Sequence, residues 1–194
     1  MGSPERIGVF GGTFDPIHNT HIAVARAALA QRRVSRVVFV VSARPPHKHE
    51  GPYAAPEERY AMVAAAVAGQ AGMAASRLEL DRRGPSYTVD TLAAFARDCP
   101  GAALALILGM DSLIDLPTWR DPEGILARAH ILVVPRPGTW DIPASLDGHY
   151  DVLDFEETTL SSTEIRERIA AGEPIDELVP PGVGRLICER RIYG

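Results

Sequence analysis

The sequence has few cysteines and no long apolar run, and these two absences exclude several classes of protein. Its two cysteines, Cys99 and Cys188, lie far apart, so they form neither a disulfide framework nor a pair with metal-ligand spacing. The N-terminus has no apolar stretch typical of a signal peptide, and runs such as Ala102–Leu108 are much too short to span a bilayer. We therefore predict a protein of the reducing cytoplasm that has no membrane partner.

An excess of basic charge is also missing. The formal net charge is -5 at pH 7, and the isoelectric point is near 5.7. Proteins that bind nucleic acid usually carry a basic surface, whereas the arginines here are scattered along the chain. We therefore expect no nucleic-acid partner, although a local basic pocket is compatible with this charge.

What the sequence does contain is an alternation of short apolar runs and helical patterns, without an internal repeat or a linker. The predicted strands are Arg6–Phe10, Arg36–Val41, Arg77–Leu80, Ala103–Leu108, Ile131–Val134 and Tyr150–Phe155. The predicted helices are His18–Arg33, Pro56–Ala68, Thr88–Asp98, Pro122–Ala129, Ser161–Ala171 and Pro180–Arg190. Most strands lack polar alternation, which is typical of a parallel sheet covered on both faces. We predict one α/β domain over residues 1–194, a Rossmann-like doubly wound parallel sheet with helices on both faces and a C-terminal helical part at about 161–194.

The segment GVFGGTFDPIHNTH, residues 8–21, joins the first predicted strand to the first predicted helix. Ligands of doubly wound sheets bind beyond the strand ends, and glycines there let backbone N–H groups approach an anion. Neither of the two common phosphate-binding glycine fingerprints is present. His18 and His21 share one side of the first helical turn, where imidazole N–H groups can hold phosphate oxygens. The alternative is a pair of capping or surface histidines, and the preceding Gly-Gly-Thr favours the phosphate site.

This segment resembles the nucleotidylyltransferase signature GGxFDPxHxGH, and SSTEIR at Ser161–Arg166 resembles the ISSTxIR motif of the same superfamily. Between them lie PPHK, RRGPSYTVDTL, GMDSLIDLPTW and RPG, in that order. The ordered set, from Ile7 to about Ile169, resembles bacterial nicotinate-nucleotide adenylyltransferase, which joins nicotinate mononucleotide to the AMP part of ATP. The SYT and LPTW segments favour the nicotinate branch over enzymes that use other acceptors.

The resemblance implies roles for residues at matching positions. It implies contacts to ATP for Gly11, Gly12, Thr13, Phe14, His18, Thr20, His21, Asp111, Ser161, Ser162, Thr163 and Arg166. It implies contacts to nicotinate mononucleotide for Tyr87, Thr88, Trp119 and Arg136. It implies catalytic roles for His18, His21, Lys48 and Arg166, which would hold phosphates during in-line transfer. Mg²⁺, bound through the ATP phosphates, is the expected cofactor, since no cluster of carboxylates suggests a metal site built by the protein.

Several of these residues also have ordinary structural explanations. Lys48 has the alternative of a solvated surface lysine, and Trp119 that of a core residue. Ser161 has the alternative of a helix N-cap, and Asp111 that of the cap of a short helix. We expect Asp15 to shape the turn in which it lies.

One position departs from the family pattern, because the family has glycine where this chain has Thr20. If the glycine provides a positive φ, threonine is strained; if it only makes room for ATP, threonine weakens ATP binding. A nucleotide-binding protein with weakened catalysis therefore stays open as an alternative. So does a related nucleotidylyltransferase that uses nicotinamide mononucleotide or phosphopantetheine as its acceptor. The oligomeric state, including a homo-oligomer, is also left open.

Overall fold

The described part of the chain forms one six-stranded sheet with helices on both faces. The computed structural model describes residues 5–44, 53–156 and 160–194. The strands are β1 (Arg6–Gly12), β2 (Arg36–Val41), β3 (Met73–Ser76), β4 (Ala103–Gly109), β5 (Ala129–Val134) and β6 (Tyr150–Val152). Their order is β3-β2-β1-β4-β5-β6, and every neighbouring pair is parallel. This is the doubly wound order of a Rossmann-like sheet, so the predicted fold class is confirmed.

Two groups of helices cover the two faces of the sheet. The helices are α1 (Asn19–Ala30), α2 (Pro56–Val67), α3 (Leu78–Asp81), α4 (Thr88–Asp98), α5 (Met110–Asp115), α6 (Pro122–Leu126), α7 (Ser162–Ala170) and α8 (Pro181–Arg190). Short 3-10 helices lie at Leu116–Thr118 and Ala144–Leu146. Helices α1, α2, α7 and α8 pack on one face, and α4, α5 and α6 pack on the other. None of the helices in the described ranges is long and apolar enough to cross a bilayer.

The apolar strands follow from this double cover. Successive side chains of a strand point to opposite faces, so Phe39 of β2 enters the core beneath α1 and α2. Its neighbours Val38 and Val40 enter the core beneath α4 and α5. Because water reaches neither face, both sets of side chains are apolar, and the sequence shows a continuous run instead of alternation.

The third strand lies elsewhere than the sequence pattern predicts. We predict a strand at Arg77–Leu80, whereas β3 covers Met73–Ser76 and α3 begins at Leu78. The sequence of β3, MAAS, has no β-branched residue and therefore a weak strand propensity. Pairing with β2, where Ala74 lies opposite Val38, makes it a strand. This part of the prediction is therefore wrong. The reason is that two leucines within four residues are compatible with one helical turn as well as with a strand.

The carboxyl ends of the four central strands meet at one edge of the sheet. Gly12 at the end of β1 lies opposite Val41 of β2, and Gly109 at the end of β4 lies opposite Val134 of β5. The segments that follow these strands therefore leave the sheet side by side. Most of the motifs singled out in the sequence lie in these segments.

Candidate active site

His18 and His21 pack against each other at the start of α1. Their ring centres are 3.8 Å apart, and Nδ1 of His21 accepts a hydrogen bond from the backbone N–H of His18 at 3.2 Å. The ring of Phe14 meets the His21 ring edge-on, with ring centres 5.1 Å apart. Because the accepting Nδ1 carries no proton, neutral His21 carries its proton on Nε2 and can donate from that atom.

Burial keeps both imidazoles neutral at pH 7. It lowers the pKa of His18 to about 4, and burial followed by the neighbouring His18 lowers the pKa of His21 well below its ordinary value. His18 is only 4% exposed, and its Nδ1 has no hydrogen-bond partner among the described residues. An anion placed beside the two rings would favour their protonated forms, so the pair is suited to respond to a polyphosphate.

We expect these histidines to make the protein less stable in mild acid. The pKa of His18 in the folded protein, about 4, lies below its value of 6.5 in the unfolded chain, so the unfolded chain binds the proton first. The stabilisation is complete above about pH 7 and is lost as the pH falls through 6.5 toward 4. Between pH 7 and pH 5 this residue alone should remove about 2 kcal/mol from the free energy of unfolding.

Urea unfolding of the wild type and of His18→Asn at several pH values measures this loss. The variant should lose less stability between the two pH values, because asparagine does not titrate. Equal losses in the two proteins would contradict the assignment of a buried neutral His18.

The turn after β1 is shaped by Phe14, which has a positive φ of 51°. A Cβ on Gly12 would lie 2.9 Å from the Phe14 ring, so Gly12 is required by this packing. A Cβ on Gly11 would meet nothing within 4 Å. The open space in front of the backbone therefore lies beside Gly11, and this is where a ligand can approach the turn.

A buried arginine that the sequence analysis did not single out holds this turn from below. Arg59 of α2 is 0% exposed. Its guanidinium donates hydrogen bonds to the backbone carbonyls of Thr13 and Ser42, both at 2.7 Å, and of Ala54 at 3.2 Å. It thereby ties the segments after β1 and β2 together. The sequence did contain a signal, because Arg59 continues the buried stripe of α2 formed by Met62, Val63, Ala66 and Val67.

The Asp15 carboxylate is the second buried group of this turn, and its role is structural. It accepts hydrogen bonds from the backbone N–H groups of Tyr53 at 2.7 Å and Ala54 at 3.1 Å. It also accepts one from the Tyr193 hydroxyl at 2.6 Å. Burial and this hydrogen bond raise the pKa of Tyr193. No local pattern could indicate a contact between residues so far apart in the sequence.

The SSTEIR motif contacts the same turn. Ser162 donates a hydrogen bond from Oγ to the carbonyl of Pro16 at 2.9 Å. Arg166 donates from Nη1 to the carbonyl of Asp15 at 2.7 Å and from Nη2 to Oγ1 of Thr163 at 3.1 Å. Since Pro16 precedes His18 by two residues, the histidine motif and the SSTEIR motif are brought together. Ser161 acts as the N-cap of α7, because its Oγ accepts from the N–H of Glu164.

Asp111 and Arg136 form an ion pair at the ends of β4 and β5. Nη1 of Arg136 contacts Oδ2 of Asp111, and both side chains are about half exposed. Asp111 is the second residue of α5 and Gly109 is its N-cap, so Asp111 does not cap this helix. A residue expected to contact ATP and a residue expected to contact nicotinate mononucleotide therefore bind each other in this structure.

A pocket of about 180 Å³ lies beside the Gly-Gly-Thr turn, on the side away from His18 and His21. Tyr87, Thr88 and Trp119 all line it, and so does Gly11. Its apolar floor comes from the strand residues Val9, Leu106 and Leu108. Thr88 is the first residue of α4, and N–H groups in a first helical turn have no helical partner. The pocket thus combines aromatic walls with the beginning of a helix. Arg136 is not among its lining residues, and Lys48 lies outside the described residues.

Thr20 is the second residue of α1 and is half-buried. The described residues other than glycine that have a positive φ are Phe14, Arg32, Asp121, Arg191 and Tyr193, and Thr20 is not one of them. The backbone at this position is therefore helical and unstrained, which rules out the strain alternative. Any effect of Thr20 must come from its side chain.

Comparisons with known proteins support the fold and also identify the family of this chain. Residues 9–168 match the family model described as cytidylyltransferase-like. A "probable nicotinate-nucleotide adenylyltransferase" of Symbiobacterium thermophilum is 39% identical over 97% of this chain and 95% of its own length. A relative of the same name from Streptomyces coelicolor is 40% identical over 94% of this chain and 98% of its own.

Solved structures share the fold. Nicotinic acid mononucleotide adenylyltransferase of Plasmodium falciparum, complexed with NaAD, superimposes with a TM-score of 0.79 over 97% of both chains, at 18% identity. Its complex with APC superimposes with a TM-score of 0.76. At this identity the likeness supports the fold alone, whereas the sequence relatives carry the assignment. The chain belongs to the cytidylyltransferase-like family and, within it, to the family of the nicotinate-nucleotide adenylyltransferases.

Proposed function

We propose that this protein transfers AMP from ATP to nicotinate mononucleotide in the cytoplasm, giving nicotinate adenine dinucleotide and pyrophosphate in NAD biosynthesis. The observation that carries the proposal is one sheet edge at which two kinds of site adjoin. On one side lie His18 and His21, and Arg166 donates a hydrogen bond to the carbonyl of Asp15 in the turn that leads to them. On the other side lies the pocket lined by Tyr87 and Trp119. A polyphosphate and a flat ring can therefore bind next to each other.

The reaction needs no protein nucleophile. The 5′-phosphate of the mononucleotide attacks the α-phosphorus of ATP in line, the bond to the bridging oxygen breaks, and pyrophosphate leaves. Catalysis then consists of positioning and of stabilising the charge that develops on phosphate oxygens. Nε2–H of His21 and the ring of His18 would donate to oxygens of the α- and β-phosphates. Lys48, Ser162, Thr163 and Arg166 would hold the β- and γ-phosphates.

The remaining predicted residues are assigned to the sugar and ring ends of the substrates. Gly11, beside open space, would allow ATP to approach the backbone, and Asp111 would accept hydrogen bonds from the ribose. Trp119 would stack on the pyridine ring, and the N–H of Thr88 would hold the ring carboxylate. Arg136 would turn from Asp111 toward the phosphate of the mononucleotide, because both partners of this ion pair are half exposed and little is lost on breaking it.

We propose Mg²⁺ as the cofactor, held by the phosphates of ATP and not by side chains. No group of three or more His, Cys, Asp or Glu residues that could hold a metal ion occurs within the described ranges. Mg²⁺ commonly keeps several waters and binds through substrate phosphates. The described residues are therefore compatible with an ion that is held by the nucleotide. When bound, the ion would neutralise part of the phosphate charge.

A panel of acceptors tests the proposed function. Purified protein, ATP and Mg²⁺ are combined with nicotinate mononucleotide, nicotinamide mononucleotide or phosphopantetheine, and pyrophosphate release is measured. The highest kcat/KM is expected with nicotinate mononucleotide. Preference for the amide or for phosphopantetheine would identify a related nucleotidylyltransferase, and activity with none of the three would overturn the proposed reaction.

The Thr20→Gly variant tests whether the threonine weakens ATP binding. We expect a lower KM for ATP, by about threefold, with turnover changed less than that, because the helical backbone at Thr20 is unstrained. Glycine in a helix should also cost about 1 kcal/mol of stability. Thr20→Ala is the matched control, since it removes the hydroxyl and methyl but keeps Cβ. Activity in the glycine variant alone would instead favour the alternative of a nucleotide-binding protein that has lost catalysis.

A further inference from the structure

Tyr53, in the segment before α2, has a side chain whose position the apolar core does not explain. At 71% exposure it is the most exposed large hydrophobic residue in the described ranges, and it belongs to neither of the two cores. An aromatic ring left in water gains little from the hydrophobic effect. The contacts that Tyr53 does make are with Asp15 in the turn after β1 and with Arg166.

The ring of Tyr53 presents its face to the guanidinium of Arg166. Cζ of Arg166 lies 4.3 Å from the ring centre, a cation-π arrangement. Asp15 holds both partners, because its carboxylate accepts from the backbone N–H of Tyr53 at 2.7 Å and its carbonyl accepts from Nη1 of Arg166 at 2.7 Å. One residue of the turn thus sets the position of the ring and of the guanidinium.

Arg166 is held in this place without a carboxylate. None of the ion pairs between described residues includes it, and its two acceptors, the carbonyl of Asp15 and Oγ1 of Thr163, are uncharged. A carboxylate would also hold the guanidinium, but it would neutralise the charge and compete with phosphate for the N–H groups. An aromatic ring contacts only the face, so the charge and the in-plane N–H groups stay available to a ligand.

A second stack of arginine on tyrosine shows the difference. Cζ of Arg77 lies 4.9 Å from the centre of the Tyr60 ring. Arg77 also forms ion pairs with Glu57 and Asp81, so its charge is compensated. The stack on Tyr53 instead leaves Arg166 with an uncompensated positive charge beside the histidine motif.

We infer that Tyr53 is a positioning residue that orients Arg166 toward the β- and γ-phosphates of ATP, an inference that rests on the proposed function. The ring restricts the guanidinium before the nucleotide arrives, so less side-chain freedom is lost on binding. The remaining in-plane N–H groups can then donate to two phosphate oxygens. Tyr53 acts through Arg166 and touches no reacting atom.

The test compares Tyr53→Leu, which removes the aromatic face, with Tyr53→Phe, which keeps it. The KM for ATP should rise about three- to fivefold in the leucine variant and stay within about 1.5-fold in the phenylalanine variant. In both variants kcat and the KM for nicotinate mononucleotide should change by less than about twofold. Tyr60→Leu is the matched control, since Arg77 has no assigned contact to a substrate, and the KM for ATP should be unchanged.

A double-mutant cycle and a comparison of nucleotides separate this role from a merely structural one. In the Arg166→Ala background, Tyr53→Leu should have no further effect on the KM for ATP. Calorimetry without mononucleotide should show a loss of about three- to fivefold for ATP and none for AMP, which lacks the β- and γ-phosphates. Independent effects of the two substitutions, equal losses for ATP and AMP, or an unchanged or lower KM for ATP in Tyr53→Leu would each overturn the inference.

The same measurements distinguish this role from the proposed reaction. If Tyr53→Leu weakens the binding of ATP as expected but no acceptor gives a dinucleotide with the wild type, the reaction is wrong and the role of Tyr53 holds. If the wild type forms nicotinate adenine dinucleotide and Tyr53→Leu binds ATP equally well, the reaction holds and the role of Tyr53 is wrong. Because Tyr53 is exposed and its hydrogen bond to Asp15 comes from the backbone, both variants should fold.

Discussion

Replacing His21 with asparagine should lower turnover by about 100- to 1,000-fold while the KM for nicotinate mononucleotide stays within about threefold. The structure gives the reason. Nδ1 of His21 accepts from the backbone of His18, so its Nε2–H is the donor available to a phosphate oxygen. Negative charge on that oxygen grows in the transition state. Loss of the Nε2–H donor should therefore lower kcat more than it weakens substrate binding. Asparagine can still accept near the Nδ1 position, which preserves the start of α1.

Steady-state kinetics with both substrates varied measure this effect. His149→Asn is the control, since His149 is exposed in the turn before β6, away from the strand ends that carry the site. Thermal unfolding of both variants separates lost chemistry from lost structure. A fall in turnover below about tenfold, which is only about 1.4 kcal/mol, would remove His21 from the mechanism.

Arg166→Ala should raise the KM for ATP by about 10- to 100-fold, with a smaller change in the KM for the mononucleotide. Arg166 is pre-oriented by the carbonyl of Asp15 and by Thr163, and it lies 4.3 Å over the ring of Tyr53. A planar fork fixed in this way can bind two phosphate oxygens at once. Arg166→Lys keeps the charge without the fork and should recover only part of the affinity.

Arg168→Ala on the same helix is the control for this prediction. Arg168 pairs with Glu164 instead of with the turn after β1, so its loss should leave the KM for ATP unchanged. An unchanged KM for ATP in Arg166→Ala would contradict the triphosphate assignment of the SSTEIR motif. Since Arg166 also supports the turn, the melting temperature of each variant is recorded.

The sequence predicted those parts of the fold that depend on local patterns. Strand β2 and helix α4 have the predicted bounds, because a β-branched apolar run indicates a strand and an amphipathic pattern indicates a helix. The His18–His21 pair was also predicted to share one side of a helical turn, and the ring contact shows that it does. Each of these features depends on residues that are close together in the sequence, so a local pattern is enough to predict it.

Other features depend on contacts between distant segments, which single-sequence patterns do not contain. Strand β3 exists because it pairs with β2, and the hydrogen bond from Tyr193 to Asp15 joins opposite ends of the chain. Arg59 is an intermediate case, since its place in an apolar stripe indicated burial but not which carbonyls it would bind. No sequence motif singles out Glu79 or Arg120, and only the structure places them in one pocket.

The two C-terminal helices return across the sheet and join the core formed by α1 and α2. Gly182 of α8 approaches Ala65 of α2 so closely that an added Cβ would lie 3.3 Å from its methyl group. The last helices and the first half of the chain therefore hold each other in place. We therefore expect the two parts to unfold together, as one cooperative unit.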